Sequence, residues 1–275
     1  MSDETLMFPD RQALCRQAAT DLLGILAGAV RARGEASAVL TGGGTGTGIL
    51  SAMAELVEAG GAGPDWSRVH LWWGDERFLP AGHPDRNEVQ AQEALLDRLQ
   101  TTHGLPAENI HRMPAASADG SATGSATGSA TLQAAADAYA AELAWQARAH
   151  TQTPGRAGVD PRLPVFDVVM LGVGPDAHVA SLFPGLPGPL VTEATVIPVT
   201  DSPKPPPLRL SLTVEALNTA ERLWFVVAGA DKAEAVAAVR QARDSKTTDA
   251  ARWPASVVSG RAASTWWLDE AAAGS

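Results

Sequence analysis

Short apolar runs of β character alternate with helix-patterned stretches along most of this chain, and no other feature restricts the fold as strongly. The strand-like runs are 38–40, 69–73, 165–171, 195–199, 223–228 and 256–258. Between them, residues 12–32, 48–59, 88–100, 132–149, 212–217 and 232–243 have helical period and composition. Several of the strand-like runs are apolar throughout, as in strands covered on both faces. The alternation predicts the α/β class, with an open, mostly parallel, doubly wound sheet and helices on both faces. A closed barrel of eight β/α units is the competing layout, and the runs fall short of that number.

A length of 275 residues suits one large domain or two modest ones. No convincing boundary appears, so the expectation is a single domain over 1–275. The repeat SATGSATGSAT at 121–131 consists of small residues and is expected to form a flexible insert at about 117–131. A Pro- and Gly-rich stretch at 151–164 reads as a linker into the run at 165–171.

A formal net charge of −10 argues against nucleic acid, whose phosphates need clustered Lys and Arg. It leaves room for a small anion held by a few cations or backbone amides. The single cysteine, Cys15, cannot form an internal disulfide and suits a reducing cytosol. The opening residues are acidic and lack the apolar stretch of a signal peptide. No uninterrupted apolar run reaches membrane-spanning length. The expectation is a cytoplasmic protein, not bound to a membrane, and a monomer or weak homodimer.

Four constellations carry candidate chemistry. In FDVVMLGVGPDAHVASLFPG (166–185) an apolar run stops at Gly172-Val173-Gly174-Pro175 and delivers Asp176 and His178. Open α/β folds build sites at the carboxyl ends of strands, which makes His178 the first candidate for a general base. A helix start with a capping Asp is the bland alternative.

In VLTGGGTGTGIL (39–50) the amides of Gly42, Gly43 and Gly44 and the hydroxyls of Thr45 and Thr47 stand at a strand-to-helix turn. Neither the P-loop nor the dinucleotide pattern fits. A tight turn and a sugar-phosphate cradle remain open for this loop. In LWWGDERFLP (71–80) a strand again ends at glycine, followed by Asp75, Glu76 and Arg77. Arg77 could hold an anion in bidentate fashion, with the two acids orienting it or fixing the loop. In VTDSPKPPPLRLSLT (199–213), Lys204 and Arg209 lie on a stiff Pro-rich segment suited to an anionic ligand, or are incidental surface charges. There is no G-x-S-x-G elbow and no metal-spaced cluster, so no metal is expected.

These blocks together, with RNEVQAQEALLD, VVAGADKAEAV, WPASVVSG and WWLDEAA, resemble the 6-phosphogluconolactonases, in order from about residue 39 to 272. The resemblance implies a NagB/RpiA-like fold, no cofactor, and hydrolysis of 6-phospho-D-glucono-1,5-lactone. It implies His178 as the base with Asp176 beside it, and Arg77 as the third catalytic residue. Gly42, Gly43, Gly44, Thr45, Thr47, Asp75, Lys204 and Arg209 are implied as substrate or phosphate contacts. The chain departs from the usual Gly-Gly-Ser-Thr-Pro loop at Gly44 and Gly46, which loses a hydroxyl donor. Ala177 stands where glycine is usual. The deaminases that share this fold are expected to need a further carboxylate where this chain has Phe183, and a non-catalytic sugar-phosphate sensor is the reading from another class.

Overall fold

The computed structural model describes residues 3–61, 63–117, 126–149 and 160–274. Six strands form one all-parallel sheet: β1 (Glu4–Phe8), β2 (Ala36–Leu40), β3 (Val69–Trp73), β5 (Val168–Leu171), β8 (Arg222–Val227) and β9 (Ala263–Asp269). Their order is β1-β9-β8-β5-β2-β3. The inner strands are buried along almost every residue, because helices cover both faces. A smaller antiparallel sheet, in the order β4-β7-β6, holds β4 (Asp75–Arg77), β6 (Val196–Val199) and β7 (Arg209–Leu212). The α/β expectation holds, with this second sheet added to it.

Gly74 joins the sheets. Its N–H donates to the Leu40 carbonyl at 3.2 Å, and its own carbonyl accepts from Leu212 N at 2.8 Å. The chain therefore leaves β3 and enters β4 without a loop.

Helix α1 (Arg11–Arg33) has Asp10 as its N-cap, donor to which is Ala13 N, and ends at Gly34 with φ 83°. Leu14, Ala18, Leu22 and Leu26 recur at four-residue spacing and are fully buried. By length and composition α1 would pass as a membrane span, although Arg16 and Asp21 interrupt its apolar sequence. Here its apolar face packs on α2 (Gly43–Glu58), β2 and β9.

Next come α3 (Asn87–Ala91), a π-helical turn (Gln92–Leu96) and α4 (Asp97–Thr102), which run on from one another. Helix α5 (Ala126–Ala149) packs on β6 and β7. The short α6 (Val214–Leu217), α7 (Ala233–Asp244) and α8 (Glu270–Ala273) complete the chain.

Several sequence expectations change. Residues 256–258 are not a strand, since Pro254–Ser256 forms a 3-10 turn and the strand is β9. β9 has Ser264 and Thr265 directly after its first residue, Ala263, and they hide it from an apolar-run search. β1 is a half-exposed edge strand whose apolar run is only Leu6 to Phe8. β7 occupies Arg209–Leu212, and only Val214–Leu217 is helical in the stretch expected as a helix. Helix α5 begins at Ala126, so it includes the second half of the SATG repeat. The rest of the expected insert, 118–125, and the linker residues 151–159 lie outside the described residues.

Candidate active site

The strand order places the site. From β2 the chain steps outward to β3, and then crosses back to β5 on the other side of β2. The switch point therefore lies between β2 and β5, and a crevice opens beyond their carboxyl ends. The loop after β2 and the loop after β5 are the segments carrying the glycine-rich motif and His178. They flank a cleft of about 410 Å³. Its wall is made by Thr41, Gly42, Gly43, Gly44, Thr45 and Gly46, by Asp75, Arg77 and Asn87, and by Gly172, Gly174, His178 and Phe183. Lys204, Arg209 and Lys232 are also on it, with the apolar Val173, Ala180, Pro205, Val226, Val227 and Ala228.

Helix α2 begins at Gly43, five residues earlier than its sequence pattern indicates, and Gly42 caps it without a side-chain hydrogen bond. The first amides of a helix lack intrahelical acceptors and carry its positive dipole end. Gly43, Gly44, Thr45 and Gly46 are those residues, and all of them face the cleft. Thr47 is not on the cleft wall, because it is already a turn inside the helix. Gly43 has φ 78°, and a Cβ on Gly42 would lie 1.9 Å from Asn87 Oδ1. Both positions therefore require glycine.

His178 and Asp176 are in direct contact, with Nδ1 and Oδ1 2.5 Å apart. Burial raises the Asp176 pKa, but the bond to His178 and the charges of His178 and Lys204 outweigh it, holding it down to about 2. An ionised carboxylate can only accept, so Nδ1 carries the hydrogen, and in the neutral imidazole the lone pair is then on Nε2. The turn that makes this contact is tight. Gly174 N donates to the His178 carbonyl at 2.9 Å, and a Cβ at Gly174 would lie 2.0 Å from His178 Nδ1. Ala177 sits between them with φ 65°, a left-handed conformation that favours glycine, and it is buried. Phe183 packs its ring on the imidazole, with centroids 4.6 Å apart.

Cations gather on the opposite wall. In the β4–β7 register Arg77 faces Arg209, which joins two motifs more than 130 positions apart in sequence. Arg77 Nη1 donates to the Asp85 carbonyl at 2.6 Å. Arg209 donates to the carbonyls of Lys204, Pro205 and Pro206, so it holds the Pro-rich loop as well as lining the cleft. Burial lowers the Lys204 pKa; Asp176 opposes this, and Lys232 and Arg209 add to it. Lys232 pairs with Asp231 at 2.5 Å. A basic pocket thus forms in a chain of net charge −10.

The acids of the second motif are both held by hydrogen bonds within the protein. Asp75 Oδ2 accepts from Ser181 Oγ at 2.7 Å and Asp75 is buried, so it anchors the segment just after His178. Glu76 Oε1 accepts from the N–H groups of Arg77 and Asn87, and Oε2 from that of Glu88. Burial pushes the Glu76 carboxyl up to about 7 against Arg86 and these donors. Sequence reasoning misses Asn87 and Lys232. Lys232 follows the carboxyl end of β8, so the strand-end rule used for the other loops would have reached it. Among the described residues no cluster of three or more His, Cys, Asp or Glu is arranged to hold a metal ion.

A family profile described as glucosamine-6-phosphate isomerases/6-phosphogluconolactonase matches residues 9–267. The chain belongs to this family. It is 44% identical to a 6-phosphogluconolactonase of Streptomyces coelicolor over 99% of this chain and 95% of the relative. It is 41% identical to a 6-phosphogluconolactonase of Mycobacterium tuberculosis over 99% of this chain and 98% of the relative. The solved 6-phosphogluconolactonase of Thermotoga maritima shares its fold, with a TM-score of 0.72 at 23% identity, covering 98% of this chain and all of that one. Within the glucosamine-6-phosphate isomerase/6-phosphogluconolactonase family, the chain therefore groups with the lactonases and is an enzyme.

Proposed function

We propose that this cleft hydrolyses 6-phospho-D-glucono-1,5-lactone to 6-phospho-D-gluconate, the lactone step of the oxidative pentose phosphate pathway, with His178 as general base. The observation that carries the reading is the His178–Asp176 pair at 2.5 Å, at a cleft whose wall also holds Arg77, Lys204, Arg209, Lys232 and the glycine-rich N-terminus of α2. The names and identities of the relatives supply the substrate.

The substrate's phosphate docks at the N-terminus of α2, against the amides of Gly43, Gly44 and Thr45 and beside Lys204 and Lys232. Arg77 and Arg209 hold the sugar acid end. This leaves C1 beside His178. Nε2 takes a proton from water as its oxygen attacks C1, and the ring oxygen remains attached in the tetrahedral intermediate. Amides at Gly172 to Gly174, or a neighbouring cation, stabilise the oxyanion. When the C1–ring-oxygen bond breaks, the imidazolium returns its proton to the leaving oxygen. Asp176 keeps the ring in the required tautomer and balances the imidazolium charge. Asp75 acts through Ser181, as a positioning residue rather than a substrate contact. The single cysteine supports a cytoplasmic setting.

The deaminase reading is weaker, since Phe183, not a carboxylate, lies against the imidazole. An assay with freshly generated 6-phosphogluconolactone, coupled to 6-phosphogluconate oxidation and corrected for spontaneous hydrolysis, tests the reading. Turnover of the lactone supports it. Turnover of glucosamine 6-phosphate alone, or binding without turnover of either compound, overturns it.

A further inference from the structure

We propose that Arg11, the first residue of α1, is an additional phosphate-binding side chain of this enzyme, reaching over the bare backbone of Gly44 to close the phosphate end of the cleft. The inference rests on the phosphate placement above and extends it to a residue outside every motif read from the sequence.

The fold brings Arg11 there. β1 ends at Phe8 and α1 starts at Arg11, so the helix N-terminus emerges on the carboxyl-end side of the sheet, where the cleft opens. Two four-residue spacings then match between α1 and α2. Arg11 stands against Gly44, and a Cβ there would lie 3.4 Å from Arg11 Nη1. Cys15 stands against Gly48, where a Cβ would lie 2.8 Å from its Sγ. Cys15 Sγ also reaches the Thr45 carbonyl at 3.5 Å, which fixes the contact between the two first turns. On the other side, a Cβ at Gly229 would lie 4.0 Å from Arg11 Nη2. The guanidinium is not itself on the cleft wall, but it lies between the loop bearing Gly42 to Gly46 and the loop leading to Lys232, both of which contribute residues to that wall.

Arg11 is exposed, and no hydrogen bond or ion pair among the described residues accounts for the placement of its guanidinium. Asp231 is near enough to feel its charge but is already held by Lys232. A cation at the first turn of a helix opposes the macrodipole, and here it opposes the ends of α1 and α2 together. Functional sites are where local rules of this kind are most often broken. A phosphate dianion between those helix ends would reverse the sign of the interaction, and a guanidinium can hold it with two parallel bonds.

The test compares Arg11→Ala and Arg11→Lys with the wild type on two substrates, the phosphorylated lactone and glucono-1,5-lactone without phosphate. The expected result is a KM for the phosphorylated lactone raised about tenfold or more in Arg11→Ala, with kcat nearly unchanged. The loss should be confined to that substrate, and Arg11→Lys should recover part of it. An unchanged KM overturns the proposal. An equal loss on both lactones does so too, by assigning Arg11 a structural role. A wild type with no preference for the phosphorylated lactone would overturn the phosphate placement itself, and the Arg11 proposal with it.

Discussion

At residue scale the candidate chemistry depends on one turn, Gly174 to His178. Spacing alone placed an acid and an imidazole near each other; the contact at 2.5 Å between Asp176 and His178 comes from how the turn closes. Gly174 allows that closure, since a Cβ would overlap both His178 Nδ1 and Asp176 Oδ1. Gly174→Ala should therefore reduce turnover by about 10²-fold or more, as loss of the base would, while circular dichroism stays native. Near-normal turnover would show that the pair does not depend on this turn. The resemblance singled out Ala177, where glycine is usual, and its φ of 65° is a conformation that favours glycine. The link from Asp75 to Ser181 was not legible, because it joins a residue of β4 to one in a turn 106 positions away.

At element scale, the small antiparallel sheet organises the anion-binding wall and was the least readable part. β7 follows a Pro-rich segment and precedes a helix N-cap at Thr213, so local signals hide it. Only pairing with β4 and β6 defines it, and that pairing sets Arg77 opposite Arg209. Glu76 ties β4 to α3 through backbone N–H groups of Asn87 and Glu88. Its folded pKa of about 7 lies above the ordinary value of 4.5, because it is buried. A raised pKa contributes stability that is complete below the unfolded value and is lost as pH rises through the folded one. The stability advantage of the wild type over Glu76→Gln should therefore shrink between about pH 5 and about pH 8, as measured by urea unfolding. A difference that grows with pH would contradict the assignment.

At the scale of the molecule, the parallel sheet and its glycine-terminated strands were legible from the alternation of runs. The edge strand β1 and the polar start of β9 were not, since tertiary pairing alone makes them strands. One hydrophobic core runs through both sheets, from Leu14 on α1 to Leu210 on β7 and Trp266 on β9. We propose that the chain is one cooperative domain, which predicts a single unfolding transition with calorimetric and van't Hoff enthalpies in agreement. Two separated transitions would divide the chain. That scaffold sets the loops after β2 and β5 across the switch point, and the account turns on what His178 does there. Turnover of 6-phosphogluconolactone by His178→Ala, corrected for spontaneous hydrolysis and checked for an unchanged melting temperature, measures it directly. The account predicts a loss of at least about 10²-fold; a correctly folded variant with near-normal turnover would contradict it.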